Sequence, residues 1–169
     1  GYVTQKAILS SGDICENVLF GDSRGEASEE AVRQALDLAQ ASEFVQKLPG
    51  GIHAPLAEGG TNVSGGQKQR LCIARALARK PEILAFDDSF SALDYRTDAK
   101  LRAGLSRQLK DTTRLIVAQR IGTIRDADKI IVLDEGRMVG MGTHEELLKT
   151  CPVYQEIARS QLSSEELGA

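Results

Sequence analysis

The sequence predicts an α/β layered fold, and three observations lead there. Short apolar runs alternate with amphipathic stretches of helical period. One run, Ile83-Leu-Ala-Phe86, ends in adjacent carboxylates, Asp87 and Asp88, as a buried parallel strand does at its working edge. The stretch before it opens on Ser64-Gly-Gly, carries a helical stripe and stops at Pro81.

In chain order, Gly1-Tyr-Val-Thr reads as the tail of a strand with Gln5 at its end. Asp13 or Ser11 is placed to cap a short helix ending near Phe20, with Gly21 as its stop. A helix over 28–46 starts with an acidic turn and lines up Ala31, Ala35, Leu38 and Ala39. A further helical piece, Phe44 to Leu48, closes at Pro49-Gly-Gly51. Ser64 can cap a helix from about Gln67 to Arg79, with Leu71, Ala74 and Leu77 or Ala78 on one face. Arg79 and Lys80 suit its negative C-terminal end. Leu101, Leu105 and Leu109 form the core-facing stripe of a helix from Tyr95. Thr113 to Ala118 reads as a second buried strand, with Gln119 and Arg120 at its tip. Ile121 to Ala127 reads as a short helix and Lys129 to Leu133 as a third strand. Asp134-Glu-Gly136 makes a hairpin turn into Arg137–Met141, and Thr143-His-Glu-Glu146 has the form of a capping box. Residues 163–169 read as a frayed tail.

The chain has 169 residues, a net charge of −3 and 41% apolar content, the composition of one ordinary domain with a core of its own. No basic excess points to a nucleic-acid partner. No apolar run approaches the roughly 20 residues of a membrane span, and no secretory signal peptide is seen, so any membrane link is expected from other segments. Cys15, Cys72 and Cys151 lack metal-ligand spacing and read as buried or half-buried thiols in a reducing, cytoplasmic setting. His53 and His144 read as structural or solvent-facing.

A helix that opens on Ser64-Gly65-Gly66 presents unpaired N–H groups, which favour phosphate. A strand ending in two carboxylates favours Mg²⁺, usually held by one or two carboxylates together with substrate phosphates. Together they point to a nucleoside triphosphate. Here the sequence resembles the ATP-binding cassette (ABC) transporter family. Val63-Ser-Gly-Gly-Gln67 is similar to its signature motif, Ile83-Leu-Ala-Phe-Asp-Asp88 to its Walker B strand and Ser91-Ala-Leu-Asp94 to its D-loop.

The resemblance implies a P-loop NTPase fold of the ABC ATPase type, with a three-layer parallel-sheet core and a helical subdomain. Residues 1–62 would carry the Q-loop and helical subdomain, 63–80 the signature and its helix, 81–160 the RecA-like core and 161–169 a flexible tail. It implies ATP and Mg²⁺ as ligands. Asp87 and Gln5 would serve the metal, and Asp88, Gln119 and Gln5 the hydrolysis. Ser64, Gly65, Gly66 and Gln67 would bind ATP held by a second ABC domain, with Asp94 linking the two sites. Other implied partners are a transmembrane domain and a second nucleotide-binding domain, with no nucleic acid. The implied location is the cytoplasmic face of the cell membrane. Glu58 stands where exporters carry a glutamate facing the coupling helices, although Gly59 replaces the arginine that usually follows it.

No G-x-x-x-x-G-K-S/T occurs, and the family places that phosphate loop before the Q-loop. The sequence is therefore expected to be the C-terminal two-thirds of a nucleotide-binding domain. Alone, it should bind ATP weakly, hydrolyse it negligibly and self-associate through exposed sheet and core surface. Two departures carry further weight. Asp88 stands where the family has a glutamate as general base, and Gln119 where it has a histidine that contacts the γ-phosphate. Together they match the weakly hydrolytic subunit of a heterodimeric exporter, which lends an intact signature to its partner. The alternatives are a soluble ABC ATPase and a non-catalytic ABC module. The exporter-like run from Val3 to Val18 and the absence of heptads or basic patches argue against the first.

Overall fold

The computed structural model describes residues 1–21 and 28–162. The predicted tail over 163–169 lies outside the described residues. The chain forms two compact units, Gly1–Val117 and residues 118 onward.

In the first unit, β1 (Tyr2–Val3), β4 (Ile83–Asp87) and β5 (Thr113–Val117) form a parallel sheet in the order β1-β4-β5. β4 is central, as its apolar run predicts. Its register sets Tyr2 beside Ala85 and Val3 beside Phe86, then runs from Ile83 beside Thr113 to Asp87 beside Val117. A short antiparallel pair joins β2 (Gly12–Asp13) to β3 (Pro55–Leu56).

Strand alternation divides the parallel sheet into two faces. Val3, Leu84 and Phe86 are buried at 1%, 0% and 1% exposure and join one core with the helices α4 (Gly65–Ala78) and α5 (Tyr95–Gln108). The other face leaves Tyr2 at 62%, Ile83 at 61%, Leu115 at 59% and Val117 at 54%. This corrects the expectation of a second buried strand. β5 pairs only with β4 among the described residues, and helices cover only one side of it.

α1 (Ile14–Leu19) starts at Asp13, whose carboxylate accepts from the Glu16 N–H at 2.7 Å while the Glu16 carboxylate accepts from the Asp13 N–H at 2.9 Å. Asp13, not Ser11, is therefore the cap. α2 (Glu29–Leu38) buries Val32, Ala35, Leu36 and Leu38, whereas Ala31 is only half-buried. The stripe is thus wider and more branched than the alanine spacing indicated. α3 (Ser42–Gln46) follows, two residues earlier than expected. α4 also begins two residues early, at Gly65, because the Ser64 cap lets both glycines enter the helix. It is buried on most sides, at Gln69, Leu71, Cys72, Ile73, Ala74, Ala76, Leu77 and Ala78, so it is the centre of the unit and not a one-faced surface helix. In α5, Leu101 and Leu105 are fully buried and Leu109 caps the end, half-buried against the core.

The second unit contains α6 (Ile121–Ile124), β6 (Ile130–Asp134), β7 (Arg137–Gly142), α7 (His144–Thr150) and α8 (Pro152–Gln161). The expected third strand, β6, pairs antiparallel with β7 and is no part of the parallel sheet. Glu135 and Gly136 both have positive φ, 45° and 75°, as a two-residue type I′ hairpin requires. The Thr143–Glu146 capping box forms as predicted. Ile130 and Val132 pack on Leu147, Cys151, Tyr154 and Ala158. His144 Nδ1 lies 2.7 Å from the Tyr154 hydroxyl, a structural role. All three cysteines are buried and free. No helix among the described residues is long and apolar enough to cross a membrane.

His53 ends a 3₁₀ turn, Gly51–His53, and reaches two carboxylates, Asp13 at 3.0 Å and Glu29 at 3.2 Å. These hydrogen bonds, Asp13 first, raise its pKa above the ordinary 6.5. A raised folded-state pKa stabilises fully below about pH 6.5 and is lost as pH rises through the raised value. His53 is therefore expected to titrate above a free histidine in an NMR pH titration. His53→Gln should remove that alkaline loss of stability.

Candidate functional site

Gln5 follows β1 and Asp88 follows β4, so the pairing of these strands delivers both to one sheet edge. Gln5 Nε2 donates to Asp88 Oδ2 at 3.3 Å. Asp87, the last residue of β4, accepts from the Tyr2 hydroxyl at 2.8 Å on Oδ2, a bond that also raises the Tyr2 phenol pKa. Both carboxylates are half-buried.

Asp88 has a left-handed backbone, φ 46°, which costs an L-residue energy unless the surroundings fix it. They do so on both sides. The Asp88 N–H donates to the Val117 carbonyl at 2.9 Å, and the Asp88 carbonyl accepts from the Ser91 hydroxyl at 2.8 Å. Ser89 is fully buried, and its hydroxyl lies 2.9 Å from the Val3 carbonyl and 3.3 Å from that of Asp87, bridging the ends of β1 and β4. A buried hydroxyl without such partners would cost about 1–3 kcal/mol. Sequence reading passed over Ser89. A serine directly after a strand-end acidic pair was the available signal.

The glycine-rich turn is ordered by its own residues. Ser64 Oγ accepts from the Gln67 N–H at 3.3 Å, and Gln67 Oε1 accepts from the Ser64 N–H at 2.8 Å. This capping box occupies the Gln67 side chain and the Ser64 N–H. The N–H groups of Gly65 and Gly66, in the first turn of α4, have no intrahelical partner. A Cβ on Gly65 would meet open space, whereas one on Gly66 would lie 3.2 Å from the Ala92 carbonyl. Gly66 thus suits the close passage of the Ser91–Asp94 loop, whose backbone a Cβ would press. Asp94 caps α5, accepting from the Thr97 hydroxyl at 2.6 Å and its N–H at 3.0 Å. These bonds, the hydroxyl's first, lower the Asp94 pKa.

Buried polar side chains tie α4 to the segment after β1. Gln69 Nε2 donates to the Thr4 carbonyl at 3.1 Å, next to Gln5. Arg75 donates to the Asn17 carbonyl at 2.7 Å, to Asn17 Oδ1 at 3.1 Å and to the Ile8 carbonyl at 3.0 Å. Burial lowers the Arg75 pKa. Glu58 is exposed in a 3₁₀ turn, Glu58–Gly60, whose Gly59 has φ 64°. Gln119 belongs to the second unit and is exposed, and its carbonyl accepts from Gln161 Nε2 at 2.8 Å. Gln161 also takes the Ile121 N–H at 2.9 Å, a clamp that nothing local in the sequence announces.

Profile comparison with known families matches residues 1–91 to the ABC transporter family. The chain belongs to the ABC transporter family. Of the curated relatives, an ABC transporter ATP-binding protein of Mycobacterium tuberculosis is 46% identical over 169 residues, covering 99% of this chain and 29% of the relative. A multidrug resistance ABC transporter ATP-binding and permease protein of Lactococcus lactis is 39% identical over 163 residues, covering 96% of this chain and 28% of its own length. Among solved structures, a bacterial Atm1-family ABC exporter with ATP bound superposes with a TM-score of 0.90 at 37% identity, over 96% of this chain and 29% of that one. The ABC chain thus spans under a third of the length of these relatives.

The donor set at the sheet edge is made of oxygen: two adjacent carboxylates with an amide beside them. Hard cations such as Mg²⁺ take such ligands and complete their shell with water and phosphate oxygens. The residues therefore fit the ion that the family implies.

Ser64→Ala should cost about 1 kcal/mol through the lost cap, whereas Ser64→Gly should cost only a few tenths. Urea unfolding of the two variants checks both figures.

Proposed function

We propose that this chain is the Q-loop-to-C-terminus portion of a nucleotide-binding domain in an ABC exporter. It would hydrolyse ATP at the cytoplasmic face of the membrane to power efflux through a transmembrane domain of the same or an associated chain. The observation that supports this most is the bond between the Gln5 amide and the Asp88 carboxylate, together with an intact Ser64-Gly-Gly helix start elsewhere in the same unit. In this reading residues 1–62 carry the Q-loop and helical subdomain, 63–80 the signature and its helix, and 81–160 the RecA-like core.

In this reading Asp87 and Gln5 hold Mg²⁺, which when bound neutralises charge developing on the phosphates. Asp88 accepts the proton of the attacking water, and Gln5 keeps that carboxylate turned towards the edge. Gln119 takes the γ-phosphate-sensing position, where it can donate a hydrogen bond without carrying charge. The Ser64 hydroxyl and the Gly65 and Gly66 N–H groups bind phosphates of ATP held by a second ABC domain, while Gln67 keeps the turn in shape. Asp94, tied into its helix, gives the loop between the two ATP sites a fixed base.

Asp88 is one methylene shorter than glutamate, so its oxygens withdraw by about 1 Å, and a misplacement of that size costs on the order of 10²-fold in rate. With Gln119 replacing histidine, the chain suits the weakly hydrolytic half of a heterodimer that completes its partner's competent site.

The natural full-length protein, purified alone, is expected to turn ATP over slowly and to recover when co-expressed with the adjacent ABC gene product. Vigorous turnover alone would identify a homodimeric exporter. Asp88→Glu should raise turnover at this chain's own site, by up to about 10²-fold.

A further inference from the structure

Asp87 is steadied by the neighbouring strand, not by the loop it opens. The parallel register sets Tyr2 beside Ala85, so Tyr2 leaves β1 on the sheet face that Asp87 shares, one diagonal step away. Its hydroxyl donates to Asp87 Oδ2 at 2.8 Å, while Oδ1 accepts no hydrogen bond from the described residues. Tyr2 is 62% exposed, so its contribution lies in that bond more than in burial. A carboxylate free to rotate must be ordered when it takes a cation. One held on a single oxygen already presents the other.

We propose that Tyr2 is a positioning residue for the metal carboxylate: its hydroxyl fixes the Asp87 carboxyl group and so sets the affinity of the site for its divalent cation. This rests on the reading of Asp87 as a Mg²⁺ ligand. Tyr2→Phe removes one oxygen from an exposed ring, and an unchanged melting temperature would show the fold intact.

The test uses the natural full-length protein, with Mn²⁺ binding followed by electron paramagnetic resonance in the presence of a non-hydrolysable ATP analogue. Tyr2→Phe is expected to raise the half-saturating Mn²⁺ concentration on the order of tenfold. The Mg²⁺ dependence of turnover should shift in parallel, with the KM for ATP at saturating Mg²⁺ unchanged within about twofold. Wild-type metal dependence in Tyr2→Phe overturns the proposal. So does a fall in turnover by the same factor at every metal concentration, which marks a merely structural role. Asp87→Asn separates the two levels. If it keeps wild-type Mn²⁺ affinity, the metal reading of Asp87 falls and takes the proposal with it. If it loses Mn²⁺ while Tyr2→Phe does not, only the role of Tyr2 falls.

Discussion

The parallel pairing of β1 with β4 is the constraint on which the site depends. It involves few residues, with Tyr2 beside Ala85 and Val3 beside Phe86, yet it places Gln5, Asp87 and Asp88 at one edge. So short a strand would fray if backbone bonds were its only hold. The buried Ser89 hydroxyl fastens the Val3 carbonyl to the turn beyond β4, and Gln69 fastens the Thr4 carbonyl to α4. Each bond spans many residues of sequence and closes a gap where an unpaired carbonyl would otherwise be buried.

The second organising element is α4, buried on most sides, whose N-terminus carries the glycine turn and whose last turn carries Arg75. Arg75 donates to both Asn17 and the Ile8 carbonyl. Each nitrogen of the half-buried guanidinium therefore exchanges water for a protein acceptor, as burial of charge demands. One helix thus fixes the glycine turn at its start and the segment after Gln5 along its length.

What could be read from the sequence followed the range of the interaction. The caps at Asp13, Ser64 and Thr143 are local, set by one side chain and an N–H three residues on; the last two were legible outright, and the first as one of two candidates with Ser11. So were the acidic strand end, the hairpin turn over Asp134-Glu-Gly136 and the motif order that carries the family. That some sheet surface would be exposed was legible, but not that it would fall on Leu115 and Val117, because an apolar strand reads the same whether one face or two are covered. Nor were the Tyr2–Asp87 and Gln161–Gln119 bonds, whose partners lie 85 and 42 positions apart. The stripe of α2 was read in part: Ala35, Leu38 and Ala39 are buried as expected, but Val32 and Leu36 share their face and Ala31 is left at its margin.

The backbone at Asp88 also decides which acid the turn accepts with ease. Left-handed φ is tolerated by aspartate better than by most L-residues, because its short polar side chain can bond locally. A glutamate at this position would gain reach and meet a less comfortable backbone, so length of side chain and ease of turn pull against each other at the sheet edge.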